Sequence, residues 1–111
     1  MDEEKLNILL KAAAEKAKVL LNTRLKAVVL FGSYARGDYD AESDVDIMLL
    51  TDCDSSELPG IKKTVNKASS ELSLEFDIEV SLTVIRFSVY EANKMTFPFY
   101  ENIEAEGIKI A

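Results

Sequence analysis

Two aspartates, Asp44 and Asp46, stand two positions apart where an acidic loop meets an apolar segment at about residues 45–51. If that segment is a β-strand, both carboxylates point to the same face, with Cα atoms roughly 6–7 Å apart. Two carboxylates on one face repel each other, and burying them is costly unless a cation compensates. The pair therefore predicts a metal site, and Mg²⁺ is the ion that typically binds carboxylates beside nucleotide phosphates.

A Gly-Ser turn precedes this loop and follows the apolar run Val28–Phe31, which is typical of a strand buried on both faces. Gly32 allows the backbone to turn sharply or to approach a ligand closely. Ser33 can cap a short helix, whose free N–H groups favour phosphate. Arg36 lies one helical turn later, where its guanidinium could bind phosphate or pair with Asp44. Gly32, Ser33 and Arg36 are therefore the predicted nucleotide-binding residues.

The residues between the turn and the aspartates are mostly turn formers, so the chemistry is expected at the two ends of the loop. Asp38 and Tyr39 exclude a P-loop, because that motif requires Lys and Ser or Thr at these places. Tyr34 and Tyr39 either pack on their own domain or stack on a nucleotide base.

These groups need a scaffold, and hydrophobic periodicity predicts an α/β domain. Helical spacing of apolar residues predicts a covering helix over 2–22 and a second one that ends near residue 73. Buried strands are predicted at about 26–31 and 45–51. An alternating strand is predicted at 76–84, with Asp77, Glu79 and Ser81 on its polar face. Short helices are expected at 88–94 and from Pro98 to Gly107, and a serine, Ser55 or Ser56, is expected to cap the second helix.

Composition limits the class of protein. The 111 residues are 48% hydrophobic and 30% charged, which fits a single globular domain over 1–111. Cys53 is the lone cysteine and histidine is absent, which excludes disulfide frameworks, histidine metal sites and Ser–His catalysis. The acidic start and the lack of a long apolar run predict a cytoplasmic protein with no signal peptide and no membrane association. A net charge of −7 argues against a nucleic-acid partner, since such binding depends on Lys and Arg.

Seven residues form the pattern Gly-Ser-x-x-Arg-Gly, an acidic loop, and Ser-Asp-x-Asp: Gly32, Ser33, Arg36, Gly37, Ser43, Asp44 and Asp46. This pattern resembles the nucleotidyltransferase superfamily that includes DNA polymerase β. In size the chain is most similar to the minimal nucleotidyltransferase (MNT) branch. The resemblance implies a small mixed sheet of about three strands flanked by helices. It also implies that Asp44 and Asp46 ligate two Mg²⁺ ions against the triphosphate of ATP, with Gly32, Ser33 and Arg36 on its phosphates.

A third carboxylate usually comes from the neighbouring strand in this family. Asp77 is the expected residue, because it begins an Asp-Ile-Glu-Val run like the one found there in the family. Its role would be that of metal ligand and general base toward the acceptor hydroxyl. Glu79 shares its predicted face and is the alternative, and a third possibility is that both side chains are merely solvated.

The resemblance implies transfer of a nucleoside monophosphate, AMP from ATP being favoured, onto a hydroxyl with release of pyrophosphate. The MNT branch is typically paired with a small helical HEPN toxin, which it adenylylates as the antitoxin. One alternative is a transferase acting on small molecules such as antibiotics, although those enzymes carry an additional helical domain. The other is a non-catalytic antitoxin that neutralises its partner by binding. A homo-oligomer is also possible.

Overall fold

The apolar runs and stripes of the sequence become five helices and four strands in a computed structural model that describes residues 1–111. The helices are α1 (Glu3–Leu21), α2 (Ser33–Arg36), α3 (Leu58–Phe76), α4 (Phe87–Asn93) and α5 (Pro98–Glu106). The strands are β1 (Leu25–Phe31), β2 (Val45–Thr51), β3 (Val80–Arg86) and β4 (Ile108–Lys109). None of the helices is long and apolar enough to cross a membrane.

The four strands form one mixed sheet in the order β3-β2-β1-β4. Strand β1 runs antiparallel to both β2 and β4, whereas β2 and β3 are parallel. The predicted mixed α/β architecture is confirmed, and the strand that the sequence did not reveal is the two-residue β4. The backbone N–H of Val28 donates to the carbonyl of Ala111 over 2.9 Å, so the end of the described chain is tied to β1.

The two faces of the sheet are covered unequally. Helices α1 and α3 pack on one face over a core of 17 buried residues that includes Val45, Ile47 and Leu49 of β2. The short helices α4 and α5 cover the other face, where Met48 and Leu50 belong to a cluster of only four buried residues. Because strand side chains alternate, Asp46 shares the α4–α5 face. The continuous burial of β2 thus follows from helices on both sides.

The predicted third strand is wrong in its bounds. Helix α3 continues to Phe76, and Asp77 is its C-terminal cap, with φ 53° and ψ 44° and a backbone N–H that donates to Ser73 O. Phe76 alternates with the apolar residues of β3, but it also lies four positions after Leu72 and is buried with it on the helix. The helical stripe prevails, so β3 begins only at Val80 and ends at Arg86.

Two serines of α3 bond to the outer edge of β3. The backbone N–H of Val80 donates to Ser73 Oγ over 2.9 Å, and that of Leu82 donates to Ser69 Oγ over 2.8 Å. Ser69 Oγ also donates to the Val80 carbonyl over 3.1 Å. Helix α3 is therefore fixed to the edge strand by hydroxyl groups as well as by apolar packing.

The helix starts and ends predicted from the sequence are confirmed in part. Pro59 and Pro98 each lie in the first turn of a helix, where the missing N–H costs nothing, and α5 ends before Gly107 as predicted. The expected serine cap of α3 is wrong, because Glu57 is in the N-cap position, without a side-chain capping bond.

Candidate active site

Gly32 joins β1 to α2 in a conformation that only glycine adopts readily, with φ 75° and ψ −157°. A Cβ atom built on this residue would lie 2.5 Å from Oδ2 of Asp46. The predicted turn therefore lies directly against Asp46, one member of the predicted acidic pair. Gly32 is also the N-cap of α2, a position that the sequence had suggested for Ser33, and Ser33 is instead the first helical residue. Without a capping side chain, the first N–H groups of α2 have no partner from the helix itself.

Asp46 is half-buried at the start of β2, and Asp44 is exposed just before it. Burial raises the pKa of Asp46 above its ordinary value, and the negative charge of Asp44 raises it further, while Arg36 acts in the opposite direction. The three side chains are thus electrostatically coupled. Two coupled carboxylates, one of them desolvated, form the kind of donor set that a divalent cation stabilises.

Arg36 ends α2 and is held by two acidic side chains rather than by Asp44. Its Nε lies 3.2 Å from Oδ2 of Asp38, and its Nη1 lies 3.5 Å from Oε2 of Glu106 in α5. These ion pairs raise the pKa of Arg36, with Asp38 as the main cause. Exposed pairs of this kind are weak, so a phosphate group could replace the carboxylates.

The acidic loop is organised by its own hydrogen bonds and by one aromatic pair. Oδ1 of Asp40 accepts from the N–H of Glu42 over 2.9 Å, and Ser43 Oγ accepts from the N–H of Asp40 over 3.0 Å. Tyr39 stacks on the buried Tyr34, with ring centroids 4.2 Å apart and 14° between the planes. The two tyrosines pack on each other, so their structural interpretation is favoured over base stacking. They hold the loop that leads to Asp44.

The two candidates for the third carboxylate lie before β3 rather than on it. Asp77 is exposed at the end of α3, and Glu79 precedes β3, with its carbonyl accepting from the Val45 N–H over 2.9 Å. The strand register instead places Ser81 beside Asp46. The 111 residues contain no group of three acidic, cysteine or histidine side chains that could hold a metal ion. The prediction that Asp77 lies on the third strand is wrong, because α3 extends through Phe76 and Asp77 is its C-terminal cap. The role of Asp77 as the third metal ligand, with Glu79 as the alternative, stays a prediction.

A pocket of about 180 Å³ lies between α2 and α5, next to the acidic pair. Its lining residues come from the end of β1, from α2 and from one side of α5: Phe31, Gly32, Arg36, Phe99, Asn102, Ile103 and Glu106. Larger depressions lie against α1 and α3, away from the carboxylates, so size does not mark the site. The sequence did not reveal that α5 lines this pocket, since the spacing of the α5 residues gives no sign that they lie near the Gly-Ser turn.

A sequence profile described as a nucleotidyltransferase domain matches residues 6–110 of this chain. The chain belongs to the nucleotidyltransferase family. The match spans every element of the sheet and all five helices at least in part, so the resemblance inferred from the seven motif residues is confirmed.

Two relatives of this nucleotidyltransferase come from Methanocaldococcus jannaschii. "Putative protein adenylyltransferase MJ0141" is 33% identical over 104 residues, covering 92% of this chain and 95% of the relative. "Putative protein adenylyltransferase MJ0604" is 32% identical over 107 residues, covering 96% of each chain. Among solved structures, a toxin–antitoxin with AMP-PNP superposes with a TM-score of 0.56 at 20% identity, covering 89% of this chain and 70% of that one. At that identity the superposition shows a shared fold.

Proposed function

We propose that this nucleotidyltransferase uses Mg²⁺ and ATP to transfer AMP onto a hydroxyl group of a partner protein in the cytoplasm. The observation that carries the proposal is the contact between Gly32 and Asp46, with Arg36 at the same end of the sheet. A glycine turn, a guanidinium and a carboxylate pair within one small region offer separate binding groups for phosphate oxygens and for the cation that accompanies them.

Asp44 and Asp46 are the proposed Mg²⁺ ligands. Mg²⁺ is commonly bound by one or two carboxylates together with substrate phosphates, so two carboxylates are sufficient for an ion that arrives with the nucleotide. A bound ion would neutralise charge on the phosphates and make the α-phosphorus more electrophilic. A second ion, implied by the resemblance, would share these two carboxylates and take a third from Asp77, with Glu79 as the alternative.

The remaining groups hold and orient the triphosphate. We assign the backbone N–H groups after Gly32, the Ser33 hydroxyl and the Arg36 guanidinium to its phosphate oxygens. The acceptor oxygen attacks the α-phosphorus, the bond from that phosphorus to the bridging oxygen breaks, and pyrophosphate leaves. The acceptor proton is released to solvent, which reaches the exposed side of Asp44. Arg36 would exchange its carboxylate partners for the charge that develops on the leaving pyrophosphate.

A protein acceptor is favoured over the other classes by similarity and by charge. The relatives at 32–33% identity are named as protein adenylyltransferases, and the structural neighbour is a toxin–antitoxin with a nucleotide analogue. The net charge of −7 would steer a basic protein surface toward the site, whereas it would repel a nucleic acid. We therefore propose a small helical HEPN-type toxin as the acceptor, with this chain as its antitoxin.

Intact-mass spectrometry of the chain mixed with the protein encoded beside it, ATP and Mg²⁺ tests the proposal. The partner should gain mass in units of AMP, and the Asp46→Asn variant should leave it unmodified. Rapid transfer to an aminoglycoside-like alcohol without any partner would instead indicate a small-molecule transferase.

A non-catalytic antitoxin is the second candidate, and Ser81 in place of a third carboxylate is the observation that favours it. It predicts a partner that is bound tightly and silenced but remains unmodified. Wild type and Asp46→Asn would then inhibit the partner equally well, which the transfer mechanism does not allow.

A further inference from the structure

We propose that the pocket between α2 and α5 binds the adenine ring, with Phe99 stacking on the base and Asn102 selecting adenine over guanine. The inference deepens the proposed function and rests on it, because it requires the phosphates to lie at Gly32 and Arg36. Both of these residues belong to the wall of the pocket, so the phosphate site and the proposed base site form one continuous cleft.

The dimensions of the cleft fit a nucleotide. Glu106 marks its charged end, where it pairs with Arg36, and Phe99 marks its aromatic end. These two residues are seven positions apart on α5, which corresponds to a rise of about 10 Å along the helix axis. That span is comparable with the reach of a nucleotide from its terminal phosphate to its base.

Phe99 presents an available ring face. It is 48% exposed, and it contacts Phe31 and Tyr100 in T-shaped pairs, with ring centroids 5.8 Å and 5.3 Å away and 86° and 74° between the planes. Neither contact stacks a ring on Phe99 face to face, and the exposed part of the ring lines the pocket, where a base can stack on it. Phe97 is a matched comparison: it is 54% exposed on the same segment but does not line the pocket.

Asn102 supplies the polar group that distinguishes bases. It lies one helical turn after Phe99 and is exposed in the pocket, whereas the amide of Asn93 is already bonded to the Val89 carbonyl. An asparagine amide offers one donor and one acceptor, which matches the N6 and N7 edge of adenine. Guanine presents two acceptors, O6 and N7, at the same edge and would leave the Asn102 oxygen facing another oxygen.

A tryptophan reporter tests the stacking directly, because the chain contains no tryptophan. Phe99→Trp keeps an aromatic ring in the pocket, and its fluorescence should be quenched when MgATP is added. Magnesium tripolyphosphate has no base and should leave the signal unchanged. Phe97→Trp, the control outside the pocket, should respond to neither. Equal responses of the two reporters, or quenching of Phe99→Trp by tripolyphosphate, would overturn the assignment.

Calorimetric titrations then measure how much Phe99 and Asn102 contribute to nucleotide affinity. Phe99→Ala should weaken MgATP by about 5- to 150-fold, as expected for loss of one base–aromatic stack, and should leave tripolyphosphate affinity unchanged. Asn102→Ala should reduce the preference for ATP over GTP. Asn102→Lys should reduce it further, by about 5- to 150-fold in the ratio of the two Kd values, because a side chain that only donates suits the acceptors O6 and N7 of guanine.

The outcomes separate this inference from the function on which it rests. If the wild-type protein binds neither MgATP nor tripolyphosphate, the proposed function itself fails. If wild type binds both and Phe99→Ala binds both equally well, the phosphate site stands and the base pocket is wrong. Parallel loss of ATP and tripolyphosphate in Phe99→Ala would mean that the residue merely supports α5. An ATP-to-GTP ratio that is unchanged in both Asn102 variants would remove the role in selection.

Discussion

Replacing Gly32 by alanine should damage the site far more than its small size suggests. The new Cβ would lie 2.5 Å from Asp46 Oδ2, whereas ordinary contacts to a Cβ begin at 3.4 Å. The carboxylate must therefore move by about 1 Å, and a misplacement of about 1 Å can reduce a positioned reaction by about 100-fold. We expect Gly32→Ala to lose about 100-fold in kcat/KM for AMP transfer.

The same substitution also destabilises the fold, so a control is needed. A non-glycine residue at φ 75° and ψ −157° costs about 1–3 kcal/mol. Gly37→Ala is the matched variant: its φ is 85°, it directly follows Arg36, and its Cβ would meet nothing within 4 Å. Placing alanine in this left-handed conformation costs about 1–2 kcal/mol. Each kcal/mol lowers Tm by about 4–8 °C in a domain of this size.

The assay compares AMP transfer and thermal unfolding for the two variants below their melting temperatures. We expect both variants to melt earlier, and only Gly32→Ala to lose transfer by about 100-fold. Near wild-type transfer by Gly32→Ala would refute the argument that the Gly32–Asp46 contact positions the site. Equal loss in Gly37→Ala would show that general destabilisation is responsible.

Three further outcomes are expected. Asp46→Asn should abolish transfer yet stabilise the metal-free protein at neutral pH. The pKa of Asp46 is higher in the folded than in the unfolded protein, so wild type loses stability as pH rises from the unfolded pKa to the folded pKa. Melting curves recorded across this pH interval should show the loss in wild type and not in Asp46→Asn. Glu106→Gln should free Arg36 and strengthen binding of both MgATP and tripolyphosphate in calorimetry; unchanged affinities would mean that the ion pair does not compete with phosphate. Ser81→Asp, beside Asp46 in the register, should raise Mg²⁺ affinity, and Asp77→Asn should lower it; an unchanged affinity in Asp77→Asn would mean that Asp77 does not reach the metal.

The parts of the site that depend on local spacing could be predicted from the sequence. Gly32 and Asp46 belong to motifs in which a few consecutive residues determine the turn, the strand and the side-chain direction. The bounds of β2 and the helical start at Pro98 follow in the same way, because burial on two faces and a fixed proline φ are local signals.

The start of β3 could not be predicted because two periodicities overlap. Phe76 fits the strand alternation that continues to Val84, and it fits the helical stripe of Val65, Ala68 and Leu72 equally well. Only packing against the sheet decides in favour of the helix, and that decision takes Asp77 away from β3. The run Asp-Ile-Glu-Val therefore lies between α3 and β3 and enters the strand only at Val80.

The pocket residues of α5 could not be predicted for a different reason. Phe99 and Asn102 lie more than sixty positions after Gly32, and nothing in their spacing refers to the Gly-Ser turn. They reach the cleft because α5 leads into β4, which pairs Ile108 with Leu30 at the end of β1. A two-residue strand, too short to be recognised from sequence, thus brings one wall of the cleft into place.

The serine contacts of α3 limit how this protein can assemble. An edge strand with free backbone groups invites another chain to extend the sheet. At the start of β3 those groups already bond to Ser69 and Ser73, and at the opposite edge β4 offers only Ile108 and Lys109. Strand addition is therefore disfavoured at the start of β3 and along the short β4. A second copy or partner protein that binds at these places would be recognised through side chains of the helices and loops rather than by extending the sheet.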